Sequence, residues 1–384
     1  MILADDDSTL GELCSQIRRS PEALLGLDTE FIRQKTYYPI LCLVQGIFVG
    51  PSGVEEIFVI DVLERGISLE PFLAILCDRK IRKVMHSLGQ DLDALQPLLG
   101  QRRLENIDDT QVMAEFCGYD YNIGYLTAVS TVTGESLVKN KSLQTSDWQR
   151  RPLSVRQLDY ACGDVKYILQ LQRELERKVR GCGNYEFYRN EMEYLQKHRE
   201  RDYVLQNSWK RLKLRIHGKT MDRALLMKKL ACWREARAME SNRIRGLILD
   251  DGALQALARS RPETMEDMRK LYQTHGTILN MKKSYKSEIL ELIREFVAAP
   301  SHGAGSYYTM ETGFGAGREL DCLQEEIATL ARDRRICPDR VVNKMDLIAL
   351  LMGYLDRETI LYGWKSELLA GLRPELFQIG SAAN

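Results

Sequence analysis

No stretch of about eighteen consecutive apolar residues, the minimum for a helix that crosses a bilayer, occurs in the 384-residue chain. The opening MILADDDSTLGEL carries acids where a secretory leader would carry basic and apolar residues, so a cytoplasmic protein with no membrane partner is expected. The nine cysteines stand singly, from Cys14 to Cys337, with no C-x-x-C pair. That excludes a zinc ribbon and a disulfide scaffold and points to reduced, mostly buried thiols. None of the five histidines pairs with another at ligand spacing, so His86 reads as packing rather than as a metal ligand. Heptads and internal repeats are missing too, which removes a coiled coil and a solenoid and leaves a monomer as the default. Net charge is also absent, with 54 Lys and Arg against 54 Asp and Glu.

What is present is the composition of a folded soluble protein, 44% apolar and 28% charged, in a chain long enough for two or three domains. The balanced charge is unevenly placed. From Lys197 to Asp250 there are fifteen basic residues against six acidic ones, a surplus of +9 that the rest of the chain must offset with −9. A polyanion partner would explain this; so would a solvated helical face rich in Lys and Arg. Residues 20–62 run in short apolar bursts, LLGLDTEF, ILCLVQGIFV and EEIFVIDV, broken by the turn cluster Gly50 to Gly53, and predict a β-meander. From Ser68 to about residue 180 amphipathic segments alternate with the strand RKVMHS, an α/β pattern. Beyond about Tyr185 helical periodicity takes over. A glycine-rich break, Pro300 to Gly317, reads as a linker before a last small helical unit.

The strand LGLDTEF holds two acids where the chain is otherwise dry. Side chains at i and i+2 of a strand share a face, so Asp28 and Glu30 project together. Alone, that pair would fit an exposed edge as well as a metal cradle. Two further acids are placed to converge on it. RKVMHSLGQDLDAL predicts a strand ending at His86 and a helix carrying Asp91 in its first turns, at the carboxyl end of the sheet where α/β sites form. SVRQLDYACGDVKYILQLQRELERKV predicts one long amphipathic helix with Tyr160 and Asp164 four apart on one face. Clustered acids repel unless cations neutralise them, and four carboxylates balance two divalent ions.

GLDTEF, HSLGQDLDAL and LDYACGDVKYIL together resemble the three exonuclease motifs of the DEDD superfamily, and the four-residue step from Tyr160 to Asp164 matches its tyrosine subclass. With RQKTYYPILCLVQ, NIDDTQVMAEFCGYD and SDWQRRPLS, nearly the whole chain is similar to the bacterial ribonuclease D family. The resemblance implies an α/β ribonuclease H-like exonuclease domain, a mixed sheet flanked by helices, over 1–185. Two all-α HRDC domains would follow, over 205–298 and 318–384, with the glycine-rich linker at 299–317. It implies that Asp28, Glu30, Asp91 and Asp164 hold two divalent ions, Mg²⁺ or Mn²⁺, and that Tyr160 orients the attacking water. Such ions, about 3.5–4 Å apart, stabilise both oxygens of an in-line displacement. The ordinary phenol pKa near 10 suits Tyr160 to positioning rather than proton abstraction. The implied activity is 3′-5′ trimming of RNA with a free 3′ end, tRNA precursors above all, releasing nucleoside 5′-monophosphates.

Other features carry less. Lys141 could meet a substrate phosphate or simply be a solvated loop lysine. Lys210, Arg211, Lys213 and Arg215 form an alternating basic run that could hold the RNA backbone. Asp109 and Thr110 read as framework, and Trp209 and Trp233 as core. HGKT, His217 to Thr220, ends like a phosphate loop, but Lys213 stands where a Walker motif needs glycine, which removes an ATPase. Two rivals remain, a DNA exonuclease of the same superfamily and a non-catalytic RNA-binding scaffold. The presence of all four acids and the tyrosine argues against the second.

Overall fold

The computed structural model describes residues 1–137, 141–197, 201–212, 221–271, 275–298, 315–344, 346–347, 360–370 and 372. In chain order the first part contains β1 (Ile2–Ala4), α1 (Asp7–Arg18), β2 (Leu24–Ile32), β3 (Ile40–Val49), β4 (Glu55–Asp61) and α2 (Glu70–Leu76). Then come β5 (Arg82–Met85), α3 (Gly89–Leu99), β6 (Ile107–Asp109), α4 (Thr110–Glu115), α5 (Tyr125–Thr133), α6 (Lys141–Gln144), α7 (Val155–Val165) and α8 (Ile168–Gly181). The strands form one sheet in the order β1-β4-β3-β2-β5-β6. Its centre is the expected antiparallel meander β2-β3-β4, with β1, β5 and β6 added in parallel.

β3 is buried along nearly its whole length, as its unbroken apolar run requires of a central strand covered on both faces. On one face Leu25, Leu27 and Phe48 pack with Leu10, Leu13 and Phe72 of α1 and α2. On the other, Leu24, Ile47 and Val84 meet Ile168 and Leu169 of α8. Gly26 makes that second contact close: a Cβ there would lie 2.3 Å from Ile168 Cγ2. Its lack of a side chain draws α8, and with it the preceding α7, down onto β2 two residues before Asp28.

The single long helix expected from residue 154 onward is two helices. Tyr167 at the break donates its backbone N–H to the Tyr125 hydroxyl, 3.2 Å away, rather than to a carbonyl one turn back. Periodicity continues across the break, so the pattern alone could not show it. The three-residue strands β1 and β6 are likewise too short to leave an alternation.

The remaining elements are helical: α9 (Tyr185–Lys197), α10 (Arg201–Asn207), α11 (Met221–Glu240), α12 (Arg245–Ile248), α13 (Asp251–Ser260), α14 (Met265–Arg269), α15 (Gly276–Leu279) and α16 (Lys283–Ala298). Leu226, Leu230, Leu254, Leu257, Ile289 and Ile293 form the interior of this module. Trp209 is buried, the core role expected of it, whereas Trp233 is half-buried, packs against the core and donates to Glu288 at 2.8 Å. Last come α17 (Gly315–Asp333), α18 (Pro338–Val341) and α19 (Gly363–Leu368). Of the linker expected over 299–317, residues 299–314 lie outside the described residues, and 315–317 already belong to α17. The HGKT string also lies outside them.

Both helical parts grip the first domain through buried carboxylates. Arg340 of α18 reaches Glu115 of α4 and Glu191 of α9, while Tyr362 and the Trp364 indole donate to Glu191 Oε2 at 2.5 and 2.8 Å. Glu235 of α11 accepts from Tyr37, in the loop leaving β2, at 2.6 Å and takes both arms of the Arg245 guanidinium.

Candidate active site

β2 delivers Asp28 and Glu30 on the face that α7 and α8 cover. α7 starts with a capping box in which Ser154 and Gln157 exchange side-chain-to-backbone bonds at 3.0 and 3.3 Å. One and a half turns in is Tyr160, and one turn later Asp164. One carboxylate oxygen each of Asp28, Glu30 and Asp164 can be chosen so that all lie within 4.8 Å of one another. These three converge as the sequence predicted. Asp91 reaches the site differently. It stands in the first turn of α3, buried, and accepts a 2.5 Å hydrogen bond from Thr29. It is not one of the converging three, but its charge acts on both Asp28 and Glu30.

The electrostatics follow from crowding acids where water is thin. Burial, then Asp91, Asp164 and Glu30, pushes the Asp28 carboxyl well above its ordinary value. Burial, then Asp164 and Asp91, raises Glu30 to about 9. Acids so placed stay ionised only if positive charge joins them, and a set of carboxylate oxygens at this spacing suits a hard divalent cation. The donor set therefore fits divalent metal ions. Tyr160 hydrogen-bonds Asp164, and burial followed by the charges of Asp164 and Glu30 raises its phenol, so it stays protonated. Its ring packs 6.1 Å from that of Trp148, which is buried.

Residues that the sequence left unassigned stand around the acids. Thr29 holds Asp91, Gln45 donates from Nε2 to Asp28 Oδ2 at 2.8 Å, and Tyr125 lies close enough to feel the charges of Asp28 and Asp164. The one available signal was a polar Gln inside the apolar run LCLVQGIFV. The framework reading of Asp109 and Thr110 holds. Asp109 accepts from the backbone of Ser87 and Leu88, setting the turn from β5 into α3, and from that of Gln111, capping α4. His86 is fixed between Thr110 and the Ile123 carbonyl, both 2.9 Å away, a packing role rather than a ligand's. Of the predicted basic residues, Arg211 is exposed and its charge reaches Glu235. Lys141 opens α6; its side chain, that of Lys210, and all of Lys213 and Arg215 lie outside the described residues.

A mixed sheet flanked by helices, with strand and helix acids meeting beside a protonated tyrosine, defines a carboxylate-site nuclease fold, and the comparisons agree. A family model described as a 3′-5′ exonuclease matches residues 1–180, and one described as an HRDC domain matches 224–293. A ribonuclease D of Sphingobium indicum is 31% identical over 374 residues, covering 95% of this chain and 91% of the relative. One from Jannaschia sp. is 30% identical, covering 94% and 92%. The crystal structure of Escherichia coli RNase D shares the fold at a TM-score of 0.73 and 24% identity, over 98% of each chain. The chain belongs to the ribonuclease D family, and its activity is that of a 3′-5′ exoribonuclease. One HRDC domain is matched where two were expected. Among the described residues no helix is long and apolar enough to cross a membrane.

Proposed function

We propose that Asp28, Glu30, Asp91 and Asp164 hold two divalent ions, Mg²⁺ or Mn²⁺, and that Tyr160 orients the water that attacks the 3′-terminal phosphodiester of RNA. The observation carrying this reading is the convergence of three acids from one strand and one helix, with the Tyr160 hydroxyl bonded to the last of them. When bound, the ions would supply the charge that lowers the pKa of water and stabilises the leaving 3′ oxygen. Tyr160 donates to Asp164, which leaves its oxygen lone pairs to accept from the water and fix its direction. As a raised phenol it cannot serve as the base at neutral pH. The products are nucleoside 5′-monophosphates released one at a time.

The substrates in this reading are structured RNA precursors, including tRNA with extra 3′ nucleotides; the Escherichia coli relative of like fold is described as an exoribonuclease involved in structured RNA processing. The proposal includes membership of the tyrosine subclass, an exonuclease domain over 1–185, a first HRDC domain over 205–298, and a second HRDC-like domain over 318–384. It also includes a monomer working in the cytoplasm. The test follows a 3′-tailed RNA and its DNA counterpart with Mg²⁺ or EDTA, using wild type and Asp28→Ala. Stepwise RNA shortening that stops in EDTA and drops on the order of 10⁴-fold in the variant is expected, the scale seen when one member of a catalytic unit is removed. Shortening that survives EDTA or the loss of Asp28 refutes the site, and equal DNA cleavage refutes the RNA preference.

A further inference from the structure

We infer that Gln45 is a positioning residue for Asp28: its side-chain amide, placed directly across the sheet, sets the direction in which the acid faces the metal ions. The inference rests on the metal reading above and concerns a residue to which no role attaches so far.

Gln45 is the register partner of Asp28 on the central strand β3, and it is fully buried among apolar neighbours. Its Nε2 donates to Asp28 Oδ2 at 2.8 Å, while its Oε1 is buried without a hydrogen-bond partner. A buried amide is costly unless both ends are satisfied. Folding alone would favour an apolar residue at this central-strand position, as at Leu43 and Ile47. The strand instead carries a half-satisfied amide whose one bond goes to a catalytic acid. The kind of donor matters. A Lys or Arg at 45 would hold Asp28 equally well but would neutralise it and repel a cation. A Glu would add another acid to a crowded set. A neutral amide fixes the carboxylate and leaves its full negative charge for the metal, which is how residues behind a ligand tune a site.

The test uses the full chain with Gln45→Met, which keeps length and removes the donor. Mn²⁺ affinity is measured calorimetrically without RNA, and RNA shortening is followed against Mg²⁺ concentration. Expected are Mn²⁺ binding weakened about 10-fold, an upward shift of similar size in the Mg²⁺ midpoint, recovery of rate at high Mg²⁺, and an unchanged KM for RNA. The thermal midpoint of the metal-free variant should not fall, since the orphaned oxygen leaves with the amide. Equal Mn²⁺ affinity in wild type and variant overturns the inference alone. A wild type that binds no Mn²⁺ and cuts in EDTA removes the metal reading itself. If the methionine variant does not fold, Gln45→Asn, too short to reach Asp28, is read by the same Mn²⁺ titration with the same direction of shift expected.

Discussion

Buried carboxylates occur in two settings in this protein. At the candidate active-site cleft Asp28, Glu30, Asp91 and Asp164 mostly face one another, and burial with mutual repulsion pushes Asp28 and Glu30 up. Where the helical modules dock, Glu115, Glu191 and Glu235 are each met by an arginine. Burial raises Glu235, but hydrogen bonds from Arg245 and Tyr37 and the Arg245 charge outweigh it, and the carboxyl ends below its ordinary value. At Glu115 burial still outweighs the Arg340 charge and raises the carboxyl, but each docking acid has a protein cation beside it, whereas the cleft acids mostly have one another. A buried acid that the protein supplies with its own cation is holding structure together; one left among like charges is waiting for a cation from outside.

The compensated side should break first in stability. Replacing Arg340 by Ala leaves Glu115 and Glu191, both essentially inaccessible, without their cation. A loss of about 3–5 kcal/mol is expected, measured by urea denaturation. Metal-dependent trimming of a short RNA by the folded fraction should persist, because α4 and α9 carry none of the four acids. Adding Glu115→Gln and Glu191→Gln to the variant should recover part of the loss, since uncharged amides no longer demand the arginine. A variant as stable as wild type would mean that these acids are not held by Arg340, and the contrast between the two regions would fail.

On the open side the prediction concerns pH. Glu30 titrates near 9 when folded and near its ordinary 4.5 when unfolded, so between these values the folded, metal-free protein binds a proton that the unfolded chain has released. Its contribution to stability is fully present below about 4.5 and is lost as pH rises through about 9. The thermal midpoint of metal-free wild type, taken relative to Glu30→Gln, should therefore fall from about pH 5 to pH 9, and saturating Mg²⁺ should remove most of the slope. Parallel curves for the two proteins, with and without metal, would show that the crowding does not act on Glu30.

The sequence made the cleft more legible than the docking surfaces, for a physical reason. Asp28 and Glu30 are two residues apart on a strand and Tyr160 and Asp164 four apart on a helix, so local periodicity alone places each pair on one face. Asp91 was predicted to sit near the others, but its tie to Thr29 depends on how α3 enters the sheet, which no local pattern records. Gln45 left only the trace of one amide in an apolar strand. Glu115 and Arg340, or Tyr37 and Glu235, lie about two hundred residues apart, and their pairing depends on how the modules settle against one another. The break at Lys166 and Tyr167 stayed hidden because the amphipathic pattern runs straight through it.

The smallest effect concerns the basic residues proposed to hold RNA. In this comparison Arg245 and Arg340 are spent on protein carboxylates, so they are unavailable to RNA, whereas Lys210, Arg211, Lys213 and Arg215 are proposed to meet substrate phosphates. Each contact to a single strand adds about 0.7 to the slope of log affinity against log salt, so replacing all four by Ala should flatten that slope by about 3. Hydrolysis of an RNA too short to reach the helical module should be unchanged. Arg211 sharpens the distinction, because its charge also helps lower Glu235. If Arg211→Ala alone reduces stability and leaves the salt slope intact, it belongs with the compensating arginines of the interface, and the RNA-holding run contracts to the three lysine and arginine neighbours. A slope unchanged by the fourfold variant would place the polyanion elsewhere and leave the basic surplus of this module as a solvated helical face.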